Sequence, residues 1–488
     1  MLILAAIFLI VTITDGHSSI ELPKVLLVSF DGFRWDYLIN MTNNTKNFNW
    51  IKENGVYARR GLRNCFVTKT YPNHYTIVTG QYEEAHGIVG NTFFDPLYNE
   101  TFVASNDSQV RDPKWFNMGG QPIWVTNQLA DTERRSGVVY WPGDAASVDG
   151  VLPSHYLPYT GYLKNKTRID TVIDWFKVKN PINLGILYFE EPDGIGHMFG
   201  PYSEQVVEMV EALDSNVLGY LLRRLKEEEL LDKINLVITS DHGMANISDI
   251  EKNKIDLDQY VNPLSYRVLN GNPVISILPV PNTTAMIDEI YGNLSGKHPN
   301  LYVYKKEEIP ADYHFTHNRR IMPIVVVPDE GYWISYNKSG TSVGVHGYNN
   351  SLSSMHPFFL AMGPGFKKGV SVDTFNNVDI YPLLCHLLKI TPHPNNGSLD
   401  NVRELLNEEM EDGGPKIFIA YMVILLFCGL IGGVYSVAAC RVHRIYKRYR
   451  IQSHSLVEFP GIVPYTSSLE NGVKIPLMTD TSDDDFVH

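Results

Sequence analysis

The sequence predicts an α/β fold, a mostly parallel sheet with helices on both faces, followed by a single C-terminal transmembrane helix. Three observations carry this reading. Five short runs are apolar throughout instead of alternating, as strands buried on both faces must be. Between them, apolar residues recur at spacings of three and four, the period of an amphipathic helix. Near the C-terminus lies an uncharged apolar stretch of membrane-spanning length.

In chain order, LILAAIFLIVTI (residues 2–13) has the length of a signal-peptide core and is too short to span a bilayer. The small residues Thr14 and Gly16 place a cleavage site before His17, so residues 1–16 read as a signal peptide, with a buried N-terminal strand as the alternative. The strand candidates are KVLLVSF (24–30), SGVVYW (136–141), INLGILYF (182–189), INLVITS (234–240) and PFFLAMG (357–363). The clearest helical pattern covers 203–231, where Val206, Val210, Leu213, Val217, Leu218, Leu221, Leu222 and Leu225 fall on one face. Residues 252–333 carry extra short strand signals and turns and read as an insertion or subdomain of a domain spanning 24–400. Residues 401–416 form an acidic juxtamembrane linker.

Residues 417–439 (IFIAYMVILLFCGLIGGVYSVAA) carry no charge and reach roughly 34 Å as a helix, enough for a hydrocarbon core of about 30 Å. Arg441, Arg444, Lys447, Arg448 and Arg450 follow it, whereas Glu404, Glu408, Glu409, Glu411 and Asp412 precede it. The positive-inside rule therefore assigns residues 440–488 to a cytoplasmic tail and the bulk of the chain to the outside, as a single-pass type I plasma-membrane protein. Gly429 and Gly433 form a GxxxG pair that permits close packing of two such helices. Eleven Asn-x-Ser/Thr sequons, at Asn40, Asn43, Asn99, Asn106, Asn165, Asn246, Asn282, Asn293, Asn337, Asn349 and Asn396, all precede the apolar segment, which suits N-linked glycans on an outside domain. Cys65 and Cys385 are the only cysteines before the apolar stretch and sit in apolar contexts, which favours buried free thiols over a bridge. A net charge of -13 speaks against binding a nucleic-acid backbone.

In an open parallel sheet, ligands bind beyond the carboxyl ends of the strands. There the first strand offers Asp31, the third runs into EEPDGIGH with Asp193 and His197, and the fourth ends in Asp241 and His242. GVHGYNN adds His346. Any one of these alone reads as a helix cap or a hydrogen-bonded loop histidine. Together they are three carboxylates and three imidazoles, a donor set that zinc accepts, enough for two ions. TKTYPNHY places Thr70 at a helix N-terminus, where backbone N–H groups favour a phosphate and a metal can turn a hydroxyl into a nucleophile.

These segments, SFDGFR, TKTYPNHYTIVTG, HGIVGN, WPG, EEPDGIGH, SDHGM and HGYNN, occur in the order and spacing of the ectonucleotide pyrophosphatase/phosphodiesterase family of the alkaline-phosphatase superfamily, and over residues 24–398 the chain most resembles its short, membrane-anchored members. The resemblance implies an alkaline-phosphatase-like fold and two zinc ions, one held by Asp193, His197 and His346, the other by Asp31, Thr70, Asp241 and His242. It also implies that Thr70 is the nucleophile of a two-step displacement through a nucleotidyl-threonine, with Asn91 donating to a phosphate oxygen and Tyr71 and Tyr159 sandwiching a nucleobase. Two departures stand out: HGYNN puts Asn349 where the family carries an acid, and WPGDAA alters the segment around Asp144. The reading that follows is a cell-surface enzyme hydrolysing extracellular nucleotides or dinucleotides, such as NAD or diadenosine polyphosphates, to a nucleoside 5'-monophosphate. Two alternatives stay open, a choline-releasing lipid phosphodiesterase and an adhesion or receptor protein on the same fold.

Overall fold

The computed structural model describes residues 21–41, 44–159, 161, 163–407 and 413–454, with side chains of the last segment from 423 to 450. The signal peptide, the Asn43 sequon, residues 408–412 of the acidic linker and the tail from 455 onward fall outside the described residues. Contacts divide the chain into two units, residues 1–410 and 411–488.

The first unit is organised by an eight-stranded sheet. Its strands are β1 (Lys24–Phe30), β2 (Val56–Ala58), β3 (Ser136–Val139), β4 (His155–Leu157), β5 (Leu184–Phe189), β6 (Ile234–Thr239), β7 (Phe359–Met362) and β8 (Val370–Val372). They lie side by side in the order β8-β2-β7-β6-β1-β5-β3-β4, parallel except for β7, which runs antiparallel to both neighbours. Val25, Leu26, Leu27, Val28 and Phe30 of β1 are all fully buried. Each contributes about 1.5–3 kcal/mol relative to exposure, which explains why central strands tolerate no alternation.

Register decides what the edge of this sheet presents. Phe30 pairs with Phe189, and Ser29 with Thr239, so β6, β1 and β5 run out at one level. The residues just beyond them, from Asp31, Glu190 and Ser240 onward, therefore share one rim. β3 stops at Val139, short of the expected Trp141, because Tyr140 adopts φ +66°. The candidate 182–189 begins its strand at Leu184.

Helices cover the sheet: α1 (Thr70–Thr79), α2 (Asn165–Trp175), α3 (Asp193–Phe199), α4 (Glu204–Ala212), α5 (Gly219–Glu227) and α6 (Ile380–Leu388). The expected helix over 203–231 is α4, one π-helical segment (Leu213–Leu218) and α5, ending at Glu227. Asp214 in that segment turns inward to accept from the Asn47 and Phe48 amides, a buried contact that a regular heptad reading cannot foresee. Within residues 252–333, Tyr266–Leu269, Ile275–Pro279, Leu301–Lys305 and Ile324–Pro328 form a separate antiparallel sheet with its own core, including Ile275, Ile277, Ile290, Leu294 and Val326. Cys65 and Cys385 are buried free thiols.

The second unit is a helix, α7 (Gly413–His454), whose segment Val423–Arg450 contains an apolar run that makes it long and apolar enough to cross a membrane by length and composition. Helix continues past the apolar run through the basic cluster.

One buried acid lies apart from the rim. Glu83, in the short helix Glu83–His86, is fully buried with neither carboxyl oxygen hydrogen-bonded. Burial pushes its pKa well above the ordinary 4.5. A carboxyl whose folded pKa is raised contributes stability that is fully present below about 4.5 and lost as pH climbs toward the folded value. The Glu83→Gln variant is therefore expected to match the parent near pH 4 and to exceed it above, the gap widening by about 1.4 kcal/mol per pH unit in that window. Denaturant unfolding of both proteins across pH 4–8 measures this.

Candidate active site

Each strand end delivers its acid through a local device. Asp31 follows β1 and is 3% exposed; Tyr188 Oη donates to its Oδ2 at 2.6 Å. Gly32 has φ +65°, and a Cβ there would meet Asp193 atoms at 2.9 Å, so only glycine lets the β5 rim approach so closely. Asp193 opens α3, its amide donating to the Asp31 carbonyl, and His197 follows one turn later. Asp241 and His242 lie just past β6, both fully buried, with the Gly32 amide donating to Asp241 Oδ1. His346 follows the two-residue strand Gly344–Val345, whose Gly344 packs against the Gly196 carbonyl of α3.

The histidines are oriented from behind. Nδ1 of His197 donates to the Gly344 carbonyl at 2.7 Å, that of His242 to Gly243 at 2.9 Å, and that of His346 to Thr68 at 2.8 Å. A carbonyl partner requires the proton on Nδ1, so in the neutral ring each Nε2 turns its lone pair inward. His242 Nε2 lies 3.3 Å from Asp31 Oδ1 and 3.0 Å from Asp241 Oδ2. His197 and His346 Nε2 lie 3.4 and 3.6 Å from the two Asp193 oxygens.

The charges are far from balanced by protein groups. Burial, with Asp241 and Asp193 close by, drives Asp31 well above the usual carboxylate range. Burial pushes Asp241 the same way, but His242 and His74 outweigh it and hold that carboxyl well below. Asp31 Oδ1, Asp193 Oδ1 and Asp241 Oδ2 are buried without a hydrogen-bond partner. Orphaned carboxylate oxygens converging with inward lone pairs are a cation cradle. The donor atoms of Asp193, His197 and His346 all lie within 4.8 Å of one another, as do those of Asp31, Asp193 and His242. Oxygen and nitrogen donors without thiolate fit a divalent cation.

Two residues of this centre escaped the sequence reading. His74 is fully buried, its Nδ1 3.0 Å from the Thr70 carbonyl and 3.4 Å from Asp241 Oδ2, its Nε2 2.9 Å from Ser29 Oγ. Its place four residues after Thr70 on α1, hence on the same face, was the available signal. Lys69 donates from Nζ to the Asn272 carbonyl at 2.5 Å, and burial lowers its pKa to about 8, with Asp193 opposing. It ties the segment before Thr70 to the 252–333 region. Asn349, by contrast, accepts from the Ser351 amide, and Thr68 orients His346, so the altered HGYNN position does not set that ring.

Thr70 is the first residue of α1, its Oγ1 3.4 Å from His242 Nε2. The Tyr71 amide donates to Asn91 Oδ1 at 2.9 Å, which commits that oxygen and leaves Asn91 Nδ2 to donate. A cavity of about 500 Å³ opens in front, lined by Asp31, Thr70, Tyr71, Asn91, Tyr159 and Asp193, with Arg111, Asp107, Asp144, Glu190 and Glu191 further along. Tyr71 packs edge-on against Phe102, whereas Tyr159 is 52% exposed. Asp144 is 3% exposed with Oδ2 unpartnered, and burial raises its pKa well above the usual range, Arg111 opposing.

The chain is similar to known proteins over most of its length. The family model for type I phosphodiesterase/nucleotide pyrophosphatase matches residues 25–349. The chain is 47% identical to ectonucleotide pyrophosphatase/phosphodiesterase family member 5 of Homo sapiens, over 79% of each chain. It is 41% identical to a bis(5'-adenosyl)-triphosphatase of Mus musculus, over 91% of this chain and 95% of that one. Among solved structures, an inactive variant of the murine member 5 in complex with AMP superimposes with a TM-score of 0.75 at 46% identity, covering 79% of this chain and all of that one. A sheet rim bearing these acids and histidines, in a chain so similar over most of its length, places the protein among the hydrolases of the type I phosphodiesterase/nucleotide pyrophosphatase family.

Proposed function

We propose that the chain is a cell-surface phosphodiesterase that hydrolyses extracellular nucleotides or dinucleotides, such as NAD or diadenosine polyphosphates, to a nucleoside 5'-monophosphate. The observation that carries it is Thr70 at the N-terminus of α1, facing both the cradle of orphaned carboxylates and the cavity. Asp193, His197 and His346 would hold one zinc, and Asp31, Asp241, His242 and Thr70 the other. When bound, the two ions neutralise the phosphodiester and lower the pKa of an attacking oxygen.

The remaining work falls to protein groups. Tyr71 and Tyr159 flank the base, and Asn91 Nδ2 donates to a non-bridging phosphoryl oxygen. The α1 amides add positive potential beside it. Thr70 Oγ1 gives up its proton to solvent and attacks phosphorus in line, the bond to the leaving oxygen breaks with that oxygen keeping the electron pair and taking a proton from solvent, and a nucleotidyl-threonine remains. Water then attacks from the vacated side, releasing the monophosphate and restoring Thr70. Two-step displacement needs the nucleophile and the hydrogen-bond donor to the phosphoryl oxygen fixed before attack, and the bond from the Tyr71 amide to Asn91 supports that role.

Residues 1–16 act as a signal and 417–439 as the anchor, with 24–400 outside, glycosylated at its sequons. None of the described sequon asparagines is buried. Aromatic walls beside Glu190 and Glu191 also suit a quaternary ammonium group, so choline release is the second reading. Competition separates them: AMP is expected to inhibit hydrolysis of a nucleotidyl nitrophenyl ester, and phosphocholine to leave it untouched.

With NAD as substrate, acid-quenched parent protein is expected to carry adenylate on the peptide containing Thr70, read by mass spectrometry. Thr70→Ala should carry none and lose at least about a thousandfold in turnover. A Thr70→Ala protein that still turns over would sink the mechanism. Asn91→Ala should lower kcat/KM by about a hundredfold, most of it in kcat.

A further inference from the structure

The wall of the cavity that carries Tyr159 is built on a residue buried behind it. Arg168, on α2, is 1% exposed, and its guanidinium is almost fully committed. Nη1 and Nη2 grip Glu190 as a two-bond fork at 2.7 and 2.9 Å, and Nη1 also donates to the Tyr188 carbonyl at 3.2 Å. Nε donates to the Leu163 carbonyl at 3.0 Å. The guanidinium plane lies 4.2 Å from the ring centre of Tyr140.

Tyr140 carries that grip onward. Its φ of +66° is a conformation that a tyrosine keeps only where its surroundings over-determine it. Here they do so at each end: the Tyr140 amide donates to the Leu157 carbonyl at 2.8 Å, and Oη donates to the Gly161 carbonyl at 2.8 Å. The Tyr140 ring then meets that of Tyr159 edge-on, centres 5.0 Å apart at 60°. Tyr159 itself is half-exposed, and Leu157, Gly161 and Leu163, on either side of it, are each bonded by Tyr140 or Arg168.

We infer that Arg168, acting through Tyr140, is a positioning residue for the Tyr159 wall, and thereby sets the preference for substrates that carry a flat heterocyclic base. This rests on the reading of Tyr71 and Tyr159 as a base sandwich. Arg168 touches neither the reacting phosphorus nor the metal-ligand set, so its effect falls on binding of the base. The planar fork and the stacked face are both properties of guanidinium, and a lysine supplies neither.

The test uses the full-length protein in detergent, with two nitrophenyl esters: one of a nucleoside 5'-monophosphate, the other of methyl phosphate, which has no base. Arg168→Met and Tyr140→Phe are expected to raise KM for the nucleotidyl ester about fivefold to tenfold with kcat kept, and to leave the base-free ester unaffected. The dissociation constant of AMP, by calorimetry, should rise by the same factor. Arg168→Lys should resemble Arg168→Met and fail to rescue. Should Arg168→Met not fold, Tyr140→Phe, which deletes one hydroxyl, carries the test alone. Equal losses on both esters would mean a general structural role and overturn the inference, as would unchanged constants in folded variants. A parent that treats both esters alike would remove the base sandwich itself, and this inference with it.

Discussion

Three carboxylates crowded at the ends of adjacent strands are the constraint on which the rest of the site depends. Asp31, Asp193 and Asp241 meet because β6, β1 and β5 end in register, and parallel pairing leaves no freedom to stagger them. Their mutual repulsion, in a place where water cannot screen it, is offset within the chain only by Tyr188, a few amides and the neighbouring imidazoles. Divalent cations would resolve this conflict, and the rings of His197, His242 and His346, whose Nε2 atoms face the cradle, are each oriented by a backbone carbonyl.

From this constraint the other features acquire their places. α1 sets Thr70, the nucleophile proposed above, beside the cradle, and His74 of the same helix reaches back to Asp241, which ties α1 to the rim. Asn91 spends its oxygen on the Tyr71 amide, which leaves its Nδ2 free for the phosphate contact proposed for it. Farther along the cavity the half-exposed Tyr159 packs on Tyr140, and the buried Arg168 lies against the Tyr140 ring, the arrangement from which base selection is inferred above.

Much of this was legible in the sequence, for physical reasons. Strands buried on both faces cannot alternate, so β1, β5 and β6 announce themselves, and an acid directly after such a strand has few purposes. The motif segments locate the rim residues by their order along the chain. What stayed hidden depends on tertiary contact. His74 lies within an ordinary amphipathic helix, and only the approach of Ser29 and Asp241 gives it a role. Lys69 reads as a solvated lysine until the 252–333 region supplies the Asn272 carbonyl. The π-helical segment at Leu213–Leu218 follows from Asp214 serving the helix that begins at Lys46, a partner 166 residues away. Glu83 sits where local pattern suggests an exposed helix start.

The claim at the centre of this account is that the carboxylate cradle holds two divalent ions. Elemental analysis of the purified full-length protein, paired with anomalous scattering at the zinc edge from its crystals, addresses it directly. The account predicts two zinc ions per chain, one among Asp193, His197 and His346 and one among Asp31, Asp241, His242 and Thr70. A folded, active protein containing no metal, or metal bound elsewhere, would contradict it.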